Sequence, residues 1–301
     1  MQITFQWTER RAPVQPIDQT TSGPATSVGE RPLAGIRVVS VAVNLPGPLA
    51  AARLAEFGAE VVKIEPPTGD PLAAAAPQWY AELIAGQRVL TLDLKTGPGQ
   101  DHLATLLKGA DLLLSSLRPS AADRLGLPAS AHAAGAVFLE VVGHDGDDAD
   151  LPGHDLTYQA AAGTLDAPRM PLVPVADLLG GERAVSAALA ALRSRDHGGP
   201  VTRVRVTLED AARAAAAPVR RGLLGPGGPL GGDLPTYSLY ASADGHVAVA
   251  AVEPHFAARL AEHIGSTRDE IARTILTRPG AEWERIANEL DLPLAVVRPP
   301  R

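Results

Sequence analysis

The chain has 301 residues, 46% hydrophobic and 20% charged, a balance that fits one large folded domain or two modest ones. Its formal net charge of -7 argues against a nucleic-acid-binding face, and the absence of cysteine excludes disulfides, thiolate catalysis and cysteine-ligated zinc. No apolar run reaches membrane-spanning length, so no membrane partner is expected and a cytoplasmic location is the default expectation.

Residues 1–32, rich in Gln, Thr, Ser and Pro, read as a flexible N-terminal arm without a secretory signal. The texture changes at Leu33. GIRVVSVAV (35–43) is dense in β-branched residues and reads as a buried strand. NLPGP follows as a turn around Gly47. LAAARLAEFG (49–58) has apolar residues at helical spacing and stops at Gly58, and AEVVKIEPP (59–67) reads as a second strand. Such a strand–helix–strand unit implies a parallel sheet with a right-handed crossover.

The alternation continues with strand-like 88–95, helix-like 97–110, strand-like 111–119 and 134–142, an Ala-rich helix over 181–193 after a Gly-Gly start, and a strand at 202–210. The pattern predicts an α/β fold: a Rossmann-like, doubly wound parallel sheet in a large domain over 33–219. The Gly/Pro-rich segment 220–235 reads as a linker. Residues 236–301 read as a smaller α+β domain, with a hairpin turning at Asp244-Gly245 and helices around 256–265 and 280–290.

The first unit carries Gly47 but not the three spaced glycines of a dinucleotide fingerprint, so the sheet class is kept and a dehydrogenase is disfavoured. His144, Asp145, Asp147, Asp148, Asp150, His154 and Asp155 lie close in sequence. Without helical His spacing they read as an acidic, solvated loop, and no metal is expected.

One pair of residues fits carbon-acid chemistry. His154 follows a glycine, and Asp177 precedes Gly180-Gly181. Moving a proton at a carbon beside a carbonyl needs a positioned base and a second group on the other face. Free N–H groups at a helix start can hold the enolate oxygen. Residue types alone favour plainer roles, with Asp177 capping a helix and His154 packed in a turn.

The order of segments adds to this. PLAGIRVVSVAVNLPGPLAAARLAEFGAEVVKIEPPTGDP, RVLTLDLKTGPG, DLLLSSLRPSAADRLGL, GHDLTYQAAAG, YSLYASADGHVAVAAVEPHF and AEWERIANELDLPLAVVRP succeed one another from about residue 32 to the end. Together they resemble the class III CoA-transferase and α-methylacyl-CoA racemase superfamily. The resemblance implies an acyl-CoA enzyme, with coenzyme A as part of the substrate and no tightly bound cofactor. It also implies a homodimer, interlocked in the family.

Asp177 matches the family's catalytic aspartate. In the transferases that residue carries the acyl group as an anhydride; in the racemases it exchanges the α-proton together with a histidine. His154 matches that histidine, where transferases usually carry an aromatic residue. The resemblance therefore favours racemisation or epimerisation of a 2-methyl (branched) acyl-CoA. Glu253 falls at a supporting acidic position, and Arg118, Arg88 and Gly47 are the implied CoA-binding residues.

CoA transfer to a carboxylic acid, with Asp177 as nucleophile, is the second reading. A repurposed, non-catalytic member is the third. It is motivated by Pro66 and Pro67 where a basic residue is usual, by Gln87 in place of a lysine, and by the acidic loop 141–153. The chain is also expected to be a shortened member, ending at Arg301 before a return to the large domain.

Overall fold

The protein is described from a computed structural model that covers residues 31–200 and 203–299, so residues 1–30 of the expected arm lie outside the described residues. The chain divides into two compact units, one ending at Ala215 and one running from Ala216. That division falls ahead of the Gly/Pro-rich segment 220–235.

The strands of the first unit are β1 (Arg37–Ser40), β2 (Glu60–Glu65), β3 (Arg88–Thr91), β4 (Leu112–Ser115), β5 (Val137–Val142) and β6 (Arg203–Thr207). Its helices are α1 (Pro46–Glu56), α2 (Pro71–Ala75), α3 (Pro77–Leu83), α4 (Gly97–Leu107), α5 (Pro119–Arg124), α6 (Leu127–Ala134), α7 (Asp155–Ala162), α8 (Val175–Asp196) and α9 (Leu208–Ala215). The strands pair in parallel in the order β3-β2-β1-β4-β5-β6, so the predicted doubly wound sheet is present.

Why these strands read as continuous apolar runs is visible in their two faces. Val38, Leu112, Leu114 and Leu139 join one core with residues of α1 and α8; Val39, Val62, Leu113 and Phe138 join the other with residues of α4 and α6. Alternate residues go to opposite faces, and helices cover both. With few aromatics to fill the space, alanines of α8 (Ala176, Ala184, Ala188) take core positions.

Several expected boundaries move; the strand expected over 111–119 ends at Ser115, and Pro119 already starts α5. The helix expected after Gly180-Gly181 begins earlier, at Val175, and Gly181 lies inside it. A Cβ at Gly181 would meet the Pro46 carbonyl oxygen at 2.9 Å and Leu49 Cδ2 at 2.8 Å, so this glycine lets α8 approach α1 rather than starting a helix. The NLPGP turn is partly helical, because α1 starts at Pro46, where a proline fits the first turn. The strand expected over 202–210 ends at Thr207, whose hydroxyl accepts the Asp210 N–H at 3.1 Å; Glu209 and Asp210 then suit the first turn of α9.

The second unit holds α10 (Ala217–Arg220), β7 (Tyr237–Ala241), β8 (His246–Ala250), α11 (Pro254–His263), α12 (Arg268–Ile275), α13 (Gly280–Leu290) and β9 (Leu294–Val296). Strands β7 and β8 form the expected hairpin, and β9 adds an antiparallel strand to β8. Tyr240, Val247, Leu260, Ile271 and Trp283 fill its core. The Trp283 indole donates to the Ile275 carbonyl at 2.7 Å, which satisfies its buried N–H. No described helix is long and apolar enough to cross a membrane.

Candidate active site

Strand order in the first unit reverses between β1 and β4, and the chain leaves the carboxyl ends of β1, β4 and β5 as loops. A crevice at such a switch point is the expected ligand position in an open α/β sheet. A cavity of about 200 Å³ lies there. Val43 and Asn44 after β1, Ser116 and Arg118 after β4, and Gly143 after β5 contribute to its walls. His154, Tyr158 and Asp177 also line it. The volume suits the reacting end of a ligand rather than a whole drug-sized molecule.

The β1–α1 loop is fixed from beneath. Lys63, buried on β2, donates to the Ala42 carbonyl at 3.0 Å and to Asp70 Oδ2 at 2.7 Å. Asp70 Oδ1 accepts the backbone N–H groups of Asn44 (2.9 Å) and Leu72 (3.0 Å). Glu65 lies 3.6 Å from the same ammonium and accepts the Tyr80 hydroxyl. Burial and the Glu65 carboxylate push the Tyr80 phenol well above its usual range. The Ser116 hydroxyl donates to the Val43 carbonyl and accepts the Val43 N–H. Asn44 itself has a left-handed backbone, φ 67°, in a conformation that asparagine tolerates.

Asp177 lies in the first turn of α8 and does not cap it. The cap comes from Asp155 on α7, whose Oδ1 accepts the N–H groups of Ala176 (2.7 Å) and Asp177 (3.2 Å). Gln159, one turn along α7, donates to the other Asp155 oxygen at 2.6 Å and to the Val173 carbonyl at 3.0 Å. The Asp177 carboxylate has no hydrogen-bond donor among the described residues. Burial, then the nearby Asp155 charge, raises its pKa from 3.8 to about 7.

His154 occupies the N-cap position of α7, where its N–H donates to the Thr157 hydroxyl at 3.0 Å. Its ring is exposed and lines the cavity that Asp177 lines. The structure thus brings together the two residues expected from sequence to share a site, and Arg118 with them. Arg88, the first residue of β3, is not part of the cavity wall. Neither is Gly47: its missing Cβ is the space taken by Ala42 Cβ, 2.4 Å from where it would stand, so the glycine serves close packing of α1 against the end of β1. Glu253 belongs to the second unit, at the N-cap position of α11.

The expected acidic loop is solvated at Asp145, Asp147, Asp148 and Asp150, all exposed, and it is also pinned at three points. His144 Nδ1 pairs with Glu209 at 2.9 Å, Asp145 pairs with Arg205, and Asp150 accepts the Ser120 N–H at 3.0 Å. That last bond holds the Asp150 carboxyl below its usual range. Asp155 is buried. Sequence reasoning missed Asp155 and Gln159 as the support of Asp177; their spacing of four on one helix face was the available signal.

Residues 33–301 match CoA-transferase family III. A probable fatty acyl-CoA transferase, Rv3272 of Mycobacterium tuberculosis, is 30% identical over 64% of this chain and 53% of its own length. The α-methylacyl-CoA racemase of Mus musculus is 30% identical over 83% of this chain and 68% of its own. The chain therefore spans about half the length of the first relative and about two thirds of the second. In three dimensions a crystal structure of Rv3272 superposes with a TM-score of 0.77 at 23% identity, covering 90% of this chain and 85% of that one, which establishes the fold.

Proposed function

This chain belongs to CoA-transferase family III, and from that membership we propose that it exchanges the α-proton of a 2-methyl-branched acyl-CoA, racemising or epimerising it. One observation carries the reading: Asp177, with a pKa of about 7, shares its cavity with His154. A carboxyl group so poised is populated in both protonation states near neutrality, which suits a group that both takes and gives a proton. One of the pair removes the Cα proton, the electron pair moves to the thioester oxygen, and the other returns a proton to the opposite face. No atom is gained or lost.

Arg118, at the cavity wall, is the proposed contact for a CoA phosphate, and its planar guanidinium suits that role. Arg88 is proposed as a second CoA contact and Glu253 as a supporting acid. The second reading, CoA transfer with ionised Asp177 as nucleophile, is favoured by the likeness to a fatty acyl-CoA transferase.

Deuterium uptake at the α-carbon of a 2-methylacyl-CoA in D₂O, run beside an assay for CoA transfer to a free carboxylate, separates the two. We expect uptake by the unaltered protein, its loss in both Asp177→Ala and His154→Ala, and no transfer. Transfer that survives His154→Ala but not Asp177→Ala would move the assignment to the second reading. Calorimetry that detects no acyl-CoA binding would leave a repurposed, non-catalytic protein.

A further inference from the structure

Tyr158 is 3% exposed as a whole residue, and its hydroxyl, which no described residue hydrogen-bonds, keeps an opening to solvent. A polar atom of a side chain so largely enclosed is normally bonded by protein or by water. Where this hydroxyl sits explains it. A Cβ at Gly143 would stand 2.3 Å from the Tyr158 oxygen, and one at Gly153 would stand 2.4 Å from it. Both glycines line the cavity of His154 and Asp177, as Tyr158 does. The hydroxyl end of the side chain therefore lies in a slot between two backbone segments that only glycine leaves open.

The ring is steadied from the side. The His144 imidazole meets it edge-on, with centroids 5.2 Å apart, and His144 is itself held by Glu209. Tyr158 follows His154 by one helical turn, and its N–H donates to the His154 carbonyl at 3.2 Å. Burial pushes the phenol above its usual range; the Asp177 carboxylate adds to this, Arg118 opposes it, and Glu209 adds further. The group therefore keeps its proton near neutrality, as a donor must.

We infer that Tyr158 is a further catalytic residue, donating its hydroxyl hydrogen bond to the thioester oxygen of the substrate as negative charge develops there. The inference rests on the acyl-CoA reading above and serves either chemistry. In proton exchange the Cα–H electron pair moves onto the carbonyl oxygen, the Tyr158 hydrogen bond strengthens without proton transfer, and reprotonation at Cα returns the pair. In acyl transfer an Asp177 oxygen attacks the thioester carbon, the same hydroxyl holds the tetrahedral oxyanion, and the C–S bond then breaks to release CoA as thiolate. A preorganised donor is worth most where the charge appears in the transition state.

The test is Tyr158→Phe in the full chain, which keeps the ring and its packing and removes only the donor. Three quantities are read in both proteins: α-deuterium uptake, affinity for a 2-methylacyl-CoA, and affinity for 2-nitropropanoyl-CoA as its nitronate, a mimic of the enolate. We expect kcat to fall about 10²–10³-fold, with the thioester Kd unchanged and nitronate affinity selectively lost. Unchanged turnover, or parallel weakening of both ligands with a lowered melting temperature, overturns the inference and makes Tyr158 a packing residue. If the unaltered protein binds no acyl-CoA, the functional reading falls and this inference falls with it. Normal turnover in both proteins sinks this inference alone.

Discussion

Asp70 and Asp177 both stand at helix starts between strands of the first unit, but their carboxylates meet opposite surroundings. Asp70 accepts from the Lys63 ammonium and from the N–H groups of Asn44 and Leu72. Asp177 has no described donor and faces the negative Asp155. One carboxylate is committed to shaping the β1–α1 loop; the other is left with a proton equilibrium near pH 7. The lesson is that burial alone does not mark a reactive group. What marks it is burial together with the absence of compensating donors.

The largest effect is expected around Asp70. Lys63→Ala leaves Asp70 and Glu65 buried without their cation, and a stability loss of about 3–5 kcal/mol is expected in urea unfolding. A loss near zero would mean that the cluster is hydrated and that Asp70 is no different in kind from Asp177.

At the other end, Asp177→Asn is expected to remove activity while raising stability at alkaline pH. The folded pKa of Asp177 lies above its unfolded value, so the folded protein binds the extra proton between about pH 4 and pH 7. Stability therefore falls as pH rises through that window, and the penalty is fully present above it. Melting temperatures measured from pH 4 to pH 9 should show this falling limb in the unaltered protein and lose it in the variant. Identical profiles would refute the raised pKa.

The smallest change is expected from Asp155→Asn. An amide oxygen can still accept the N–H groups of Ala176 and Asp177, but the new NH2 faces the Gln159 amide that donates there now, so a stability loss of about 1–3 kcal/mol is expected. The lost charge should nevertheless lower the Asp177 pKa and move the activity limb that reports Asp177 towards acid. A pH–rate profile that does not move would leave desolvation as the sole cause of the shift.

Much of the sheet was legible because β1, β4 and β5 are buried on both faces, which turns them into short apolar runs between glycines and prolines. Residue types offered the pairing of His154 with Asp177 but favoured plainer roles for both, and the resemblance raised it above them. What supports the pair was not, and the reason is physical. The cap of α8 comes from a residue 21 and 22 positions before the N–H groups that it receives, so no local cap signal precedes Val175. Asp155 also stands in an acidic run whose bulk pointed to solvent. Tyr158 reads as one more apolar position on a helix until Gly143 and Gly153 are seen to leave room for its oxygen. Gly47 carried the opposite risk: a turn glycine suggested ligand approach, and packing against Ala42 accounts for it.

Adjacent positions 154 and 155 have one further consequence. The first turn of α7 carries the imidazole directly and anchors the start of α8 through the Asp155 side chain. It is a common mount for both arms of the site. A small tilt of that turn moves both groups together, so their mutual spacing is buffered while their aim at a bound molecule changes. Drift in the acyl groups accepted is then mechanically separable from loss of the reacting pair.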